Sequence, residues 1–253
     1  MISATSGIDF ALVATFAFFG FFISLILYLR REDRREGYPL EEYDGRVQSE
    51  GGFLVMATPK TYILPLGAGT VTLPNNKRDN RSIAARRASV VPGSPLIPTG
   101  NAMVDGVGPA AYAERAKVPD TTAHGALKIV PLRVAKEFDI APGYSDPRGL
   151  TVYGADRKAA GTVKDAWVDR SEWTIRYLEV ALDSGGTVLL PITMALIRPR
   201  RSVLVDAITS TQFAAVPRLS NPDQVTFYEE ERVVAYYGGG FLYASPERAE
   251  PVL

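Results

Sequence analysis

The chain of 253 residues carries 28 basic and 28 acidic side chains, one histidine and no cysteine. Without cysteine there are no disulfides, thiolate metal sites, iron–sulfur clusters or cysteine nucleophiles, and with His124 alone there is no multi-histidine metal centre. A formal net charge of zero lacks the basic stripe of a nucleic-acid binder, so nucleic acid is not an expected partner.

Residues 1–9 read as a short polar leader. Phe10 to Leu29 holds no charged residue, which is roughly the 20 apolar residues that cross about 30 Å of hydrocarbon as a helix. The span is set at 10–30. It is apolar all round, unlike a core helix with one polar face. No Lys or Arg precedes it and no small-residue cleavage motif follows, so a retained anchor is expected rather than a signal peptide. Arg30, Arg31, Arg34 and Arg35 follow at once. They mark the cytoplasmic end of a span and are candidates for binding anionic lipid head groups. Gly20 and Ser24 form a small-xxx-small pair, a candidate helix-packing face.

From Gly37 to about Ala116 the chain is cut by Pro and Gly, as in Val91-Pro92-Gly93-Ser94-Pro95 and Ile97-Pro98-Thr99-Gly100. Short strands are expected at Thr61–Leu64 and Thr70–Leu73. Its apolar and aromatic content argues against simple disorder, so residues 31–116 are expected to form an extended strap against other proteins. From 117 to 253 the pattern becomes a mainly-β domain ending in a short helix. Strands are expected at Lys128–Val134, Leu150–Tyr153, Gly161–Asp169, Thr174–Leu182, Thr187–Pro191 and Ser202–Asp206, separated by turn signals such as Asp183-Ser184-Gly185-Gly186. Their length and spacing predict a small antiparallel barrel or sandwich. Asn221-Pro222-Asp223 reads as a helix start and Gly238-Gly239-Gly240 as its end.

Taken in order, several segments resemble the H subunit of purple-bacterial photosynthetic reaction centres. The juxtamembrane run Leu29-Arg30-Arg31-Glu32-Asp33-Arg34-Arg35-Glu36-Gly37-Tyr38-Pro39-Leu40 opens the series. Pro98-Thr99-Gly100-Asn101, Val107-Gly108-Pro109-Ala110, Trp167-Val168-Asp169-Arg170-Ser171-Glu172 and Arg176-Tyr177-Leu178-Glu179 continue it. Asn221-Pro222-Asp223-Gln224-Val225 and Ala235-Tyr236-Tyr237 close it. Residues 1–9 and about 41–57 match least.

The resemblance implies a single transmembrane helix carrying a PRC-barrel-like cytoplasmic domain. It implies a non-catalytic subunit that binds no cofactor itself and packs on L and M subunits. Those subunits would hold bacteriochlorophyll, bacteriopheophytin, quinones and a non-haem iron. A cytochrome subunit and a light-harvesting antenna are further candidate members of such a complex. The location implied is the photosynthetic inner, or intracytoplasmic, membrane, with the N-terminus periplasmic. The resemblance also places proton delivery to the secondary quinone on Glu172, Asp169 and Arg176, with His124 at the uptake point. A hairpin would bring the first three together. From the residues alone, the bland alternative is a turn with surface ion pairs, worth little. His124 matches one of two family histidines; Ala126 stands where the second would be, and Thr122 replaces a nearby Asp.

Two other classes compete. One is a membrane-anchored PRC-barrel adaptor outside photosynthesis, because fold alone does not fix function. The other is an anchored hydrolase, for which no nucleophile–base–orienter set is visible.

Overall fold

A computed structural model describes residues 9–38, 40, 46, 56–65, 69–75, 77, 79–91 and 93–249. The chain divides into two compact units, residues 1–78 and 79–253. The leader at 1–8 lies outside the described residues.

The first unit opens with helix α1, Phe10–Glu32. Asp9 caps it, its carboxylate accepting from the backbone N–H groups of Ala11 at 3.0 Å and Leu12 at 3.1 Å. No residue of α1 is buried by its own chain. So large an exposed apolar cylinder needs lipid or a protein partner to cover it. Within it, the Ser24 hydroxyl donates back to the Gly20 carbonyl at 2.7 Å. Beyond α1, strands β1 (Lys60–Ile63) and β2 (Thr70–Leu73) pair antiparallel. Arg35 ties the end of α1 to this hairpin: its guanidinium donates to Glu32 at 2.7 Å and to the carbonyls of Thr58 at 2.8 Å and Leu73 at 3.1 Å.

In the second unit, β3 (Ala85–Arg87) and β4 (Leu96–Pro98) form a small hairpin, followed by the one-turn helix α2, Ala102–Asp105. The main sheet holds β5 (Ile129–Pro131), β6 (Thr151–Tyr153), β7 (Ala159–Asp169), β8 (Thr174–Leu182), β9 (Thr187–Pro191), β10 (Leu196–Arg198) and β11 (Ser202–Leu204). Its order is β10-β11-β6-β7-β8-β9, with β5 also on β7. Strand β7 is long enough to serve two neighbours, pairing β6 with its first half and β5 with its last. Its register against β8 shifts twice, at Val163/Asp165 and at Trp167/Val168. One pair, β6 with β11, is parallel. The sheet is therefore not purely antiparallel, because nearly fifty residues of intervening chain let β11 return beside β6 in the same direction.

The core lies between the sheet and helix α3, Phe227–Tyr243. Trp167, Leu178, Val203, Ile208, Phe213 and Tyr237 are among its fully buried side chains. Both boundaries of α3 differ from the sequence expectation. Asn221 instead closes a side-chain turn onto the N–H of Asp223 at 2.9 Å. The helix starts later, where Thr226 and Glu229 form a capping box. Gly238, Gly239 and Gly240 lie inside the helix, not after it. A Cβ on Gly239 would stand 2.5 Å from the Ala110 methyl, and one on Gly240 2.3 Å from the Ala207 carbonyl oxygen. These glycines let neighbouring chain approach the helix closely.

A polar network crosses this core. Glu179 accepts from Arg133 at 2.5 Å, Trp167 at 3.1 Å and Lys164 at 3.0 Å. Asp165 accepts from the Arg133 guanidinium at 3.1 Å and the Arg133 backbone N–H at 3.2 Å. Burial pushes the Glu179 carboxyl up, but the donated hydrogen bonds prevail and hold it below the usual glutamate range.

Candidate functional site

The turn from β7 to β8 carries three of the residues singled out from the sequence. Asp169 ends β7 with its side chain buried, and its carboxylate accepts the N–H groups of Ser171 at 2.9 Å and Glu172 at 3.0 Å. That arrangement closes the turn and fixes where Glu172 emerges. Glu172 is exposed and stands 3.8 Å from the Arg176 guanidinium at the start of β8. The hairpin thus brings Asp169, Glu172 and Arg176 together.

Lys128 reaches the same place from the chain just before β5. Its ammonium lies 3.6 Å from Asp169, 3.4 Å from Asp120 and 4.0 Å from Glu172. The backbone sets it there: Lys128 N–H donates to the Asp120 carbonyl at 3.0 Å, and the Lys128 carbonyl accepts from Arg170 at 2.9 Å. A further wall is α3, where Glu230 accepts from the Tyr177 hydroxyl at 2.6 Å. Glu231 and Arg115 complete the rim, 3.8 Å apart. Together these groups line an open cleft of about 270 Å³.

Five carboxylates (Asp120, Asp169, Glu172, Glu230 and Glu231) meet three cations (Arg115, Lys128 and Arg176) around this cleft. Burial works against the charged form of Lys128, but Asp169, Asp120 and Glu172 outweigh it and raise its pKa, so it stays an ammonium. Burial raises the Glu230 carboxyl above the usual glutamate range despite the Tyr177 hydrogen bond. Burial, then the charge on Glu230, raises the Tyr177 phenol, leaving it a donor. The ion-pair distances, 3.4 to 4.0 Å around Lys128, are contacts between charges rather than tight hydrogen bonds.

His124 lies outside the cleft, exposed at the tip of a turn whose legs are bridged by Thr121 and Leu127. The same loop carries Asp120 and Lys128 on its two sides. Among the described residues no group of three or more acidic or histidine side chains is placed to hold a metal ion. The remaining candidates belong to the first unit. Arg30 is exposed, Arg34 stacks over the Tyr38 ring at 5.4 Å, and Arg31 is half-buried. Arg35 is engaged by Glu32 and two carbonyls.

Reasoning from sequence missed Lys128, Asp120, Tyr177 and Glu230. Tyr177 alone carried a signal, lying next to Arg176 on a predicted strand. The other three come from segments that only the fold brings together.

Two family models match the chain. The first, photosynthetic reaction centre, H-chain N-terminal region, covers residues 2–134. That is more than half of the sequence. The chain belongs to the reaction-centre H-chain family. A PRC-barrel domain model matches residues 142–212, the stretch that holds β6 to β11. The H chain is a structural, non-catalytic subunit, and among the described residues one helix is long and apolar enough to cross a membrane, which fits a membrane-anchored protein. Membership implies association with the L and M subunits and fits a chain that holds no cofactor of its own. The identity expected from the ordered motifs is therefore borne out, as is a mainly-β domain joined to one apolar helix and a C-terminal helix.

Proposed function

We propose that this H chain stabilises the L and M subunits from the cytoplasmic side and delivers protons to the secondary quinone during light-driven electron transfer. The observation that carries the reading is the acid-rich cleft around Lys128, where buried Asp169 and exposed Glu172 share one cation. Glu172 is the exchanging carboxylate. Asp169 fixes the turn that presents it, Lys128 and Arg176 set its charge balance, and His124 collects protons from solvent. A relay of this kind needs groups whose protonation changes near the working pH, in reach of water.

Family membership supports the rest of the reading, which is proposed with it. Bacteriochlorophyll, bacteriopheophytin, quinones and non-haem iron reside in L and M. The domain division at residues 9, 30 and 116 serves an anchor, a strap over the partners and a cap. The membrane is the photosynthetic inner membrane, with the N-terminus periplasmic. Anionic lipid contacts Arg30, Arg31, Arg34 and Arg35, and the Gly20–Ser24 face packs on a partner helix. A cytochrome subunit or antenna would join through L and M.

In the assembled reaction centre, Glu172→Gln should slow proton-coupled transfer of the second electron about tenfold or more, within the range of general acid–base contributions. Primary charge separation should stay unchanged. The measurement is flash-induced absorbance across pH; second-electron kinetics equal to the parent at every pH would reject the relay. A complex that purifies without pigments, from a membrane that contains them, would favour the adaptor reading instead.

A further inference from the structure

The turn that presents Glu172 also carries Trp173, and Trp173 lines a different cavity. This cavity holds about 470 Å³ and is walled by Leu132, Phe138, Ile140, Ile175 and Ile197. The volume lies in the range of small-molecule sites, and the walls are of the apolar kind such sites use. Two aromatic residues stand at it almost bare: Trp173 is 77% and Tyr144 80% exposed. Trp173 packs edge-on against Phe138, with ring centres 5.9 Å apart. It also sits at φ 58°, a left-handed conformation that is uncommon for a bulky side chain. An exposed indole kept there at conformational cost points to use rather than accident.

Next to the cavity the β10–β11 turn presents Arg198, Arg200 and Arg201, all exposed. None of them forms an ion pair with a described residue. The turn is joined to the cavity wall twice: Ile197 is part of the wall, and the Arg200 N–H donates to the wall residue Ser145 at 3.2 Å. The acids nearby are already taken, since Arg148 holds Asp139 at 3.1 Å and Asp146 at 2.6 Å. The patch is therefore apolar in the middle, aromatic at the rim and cationic at one edge.

We propose that this cavity binds an anionic phospholipid, an acyl chain entering between Trp173 and Ile197 and the phosphate lying on Arg198, Arg200 and Arg201. Guanidinium groups match phosphate oxygens in paired hydrogen bonds. Indole and phenol rings favour the boundary between acyl chains and head groups. Lipid is also the apolar ligand that a chain with a membrane-spanning helix meets at high concentration. The site is separate from the acid-rich cleft and does not depend on the function proposed for it.

The chain has two tryptophans, and Trp167 is fully buried, so contact quenching reports on Trp173. The full chain in detergent is titrated with phosphatidylglycerol brominated on its acyl chains, and separately with brominated phosphatidylcholine. Phosphatidylglycerol should quench at about tenfold lower mole fraction. The triple variant Arg198→Gln, Arg200→Gln, Arg201→Gln should erase that preference, and Trp173→Phe should remove the quenched emission. Unshifted Trp167 emission shows that each variant keeps its core. Equal quenching by both lipids, or a preference that survives the triple variant, overturns the proposal. So does relief of phosphatidylglycerol quenching by millimolar inorganic phosphate, which would make this a free-anion site.

Discussion

Two sets of carboxylates hang from the same strand pair, β7 and β8, and they are built in opposite ways. Asp165 and Glu179 are buried and held by hydrogen bonds of 3.2 Å or less. Around Lys128, the acids approach their cation only to 3.4–4.0 Å and face an open cleft. In the first set every carboxylate oxygen has a hydrogen-bond donor. The second has more acids than cations and room for water. The two sets differ in how tightly the charges are paired and in whether acids and cations balance.

The largest expected effect tests the tight set. Arg133→Met leaves Asp165 and Glu179 buried without their shared cation and should destabilise the protein by about 3 kcal/mol, near the low end for a broken buried pair because Lys164 remains on Glu179. Denaturant unfolding of the full chain in detergent measures it; a loss no greater than that of a surface pair would erase the contrast. Next comes Tyr177→Phe, which removes the hydrogen bond to Glu230 and should cost about 2 kcal/mol.

The pH dependence should then separate the two sets by sign. Glu179 has a lowered folded pKa, so its stabilising contribution is present above the ordinary glutamate value and disappears as pH falls through the folded one. Glu230 has a raised folded pKa, so its contribution is complete below the ordinary value and is lost as pH rises through the folded one. Glu179→Gln should flatten the acid side of the melting-temperature profile, and Glu230→Gln the side above it. Identical profiles for the two variants would remove the distinction. The smallest effect is a control on phenols: Tyr237 is fully buried and its hydroxyl has no partner among the described residues. Tyr237→Phe should leave stability unchanged or raise it by up to about 1 kcal/mol, unlike Tyr177→Phe.

Much of this was legible in the sequence, for physical reasons that differ by region. Strands β7, β8 and β9 announce themselves through β-branched runs bounded by Asp-Ser-Gly-Gly and similar turns. Asp169, Glu172 and Arg176 could be grouped because one hairpin holds all three. Lys128 and Glu230 could not, since about a hundred residues separate them and only the packing of α3 unites them. The start of α3 was misplaced because Asn221-Pro222-Asp223 and Thr226-x-x-Glu229 both resemble helix starts, and local pattern does not rank them. The end was misplaced because three glycines usually stop a helix, and here close packing overrides that tendency.

Those three glycines have a consequence for the order in which the molecule assembles. Each lowers intrinsic helicity by about 1 kcal/mol relative to alanine, so the last turns of α3 have little reason to form alone. They become favourable only once the 108–110 segment and the 207–208 chain are seated against them. The C-terminal helix is thus a late latch. Its protection from hydrogen exchange should appear only after the chain from Gly108 to Ala110 has docked, and cutting that segment should unwind the helix from Gly238 onward.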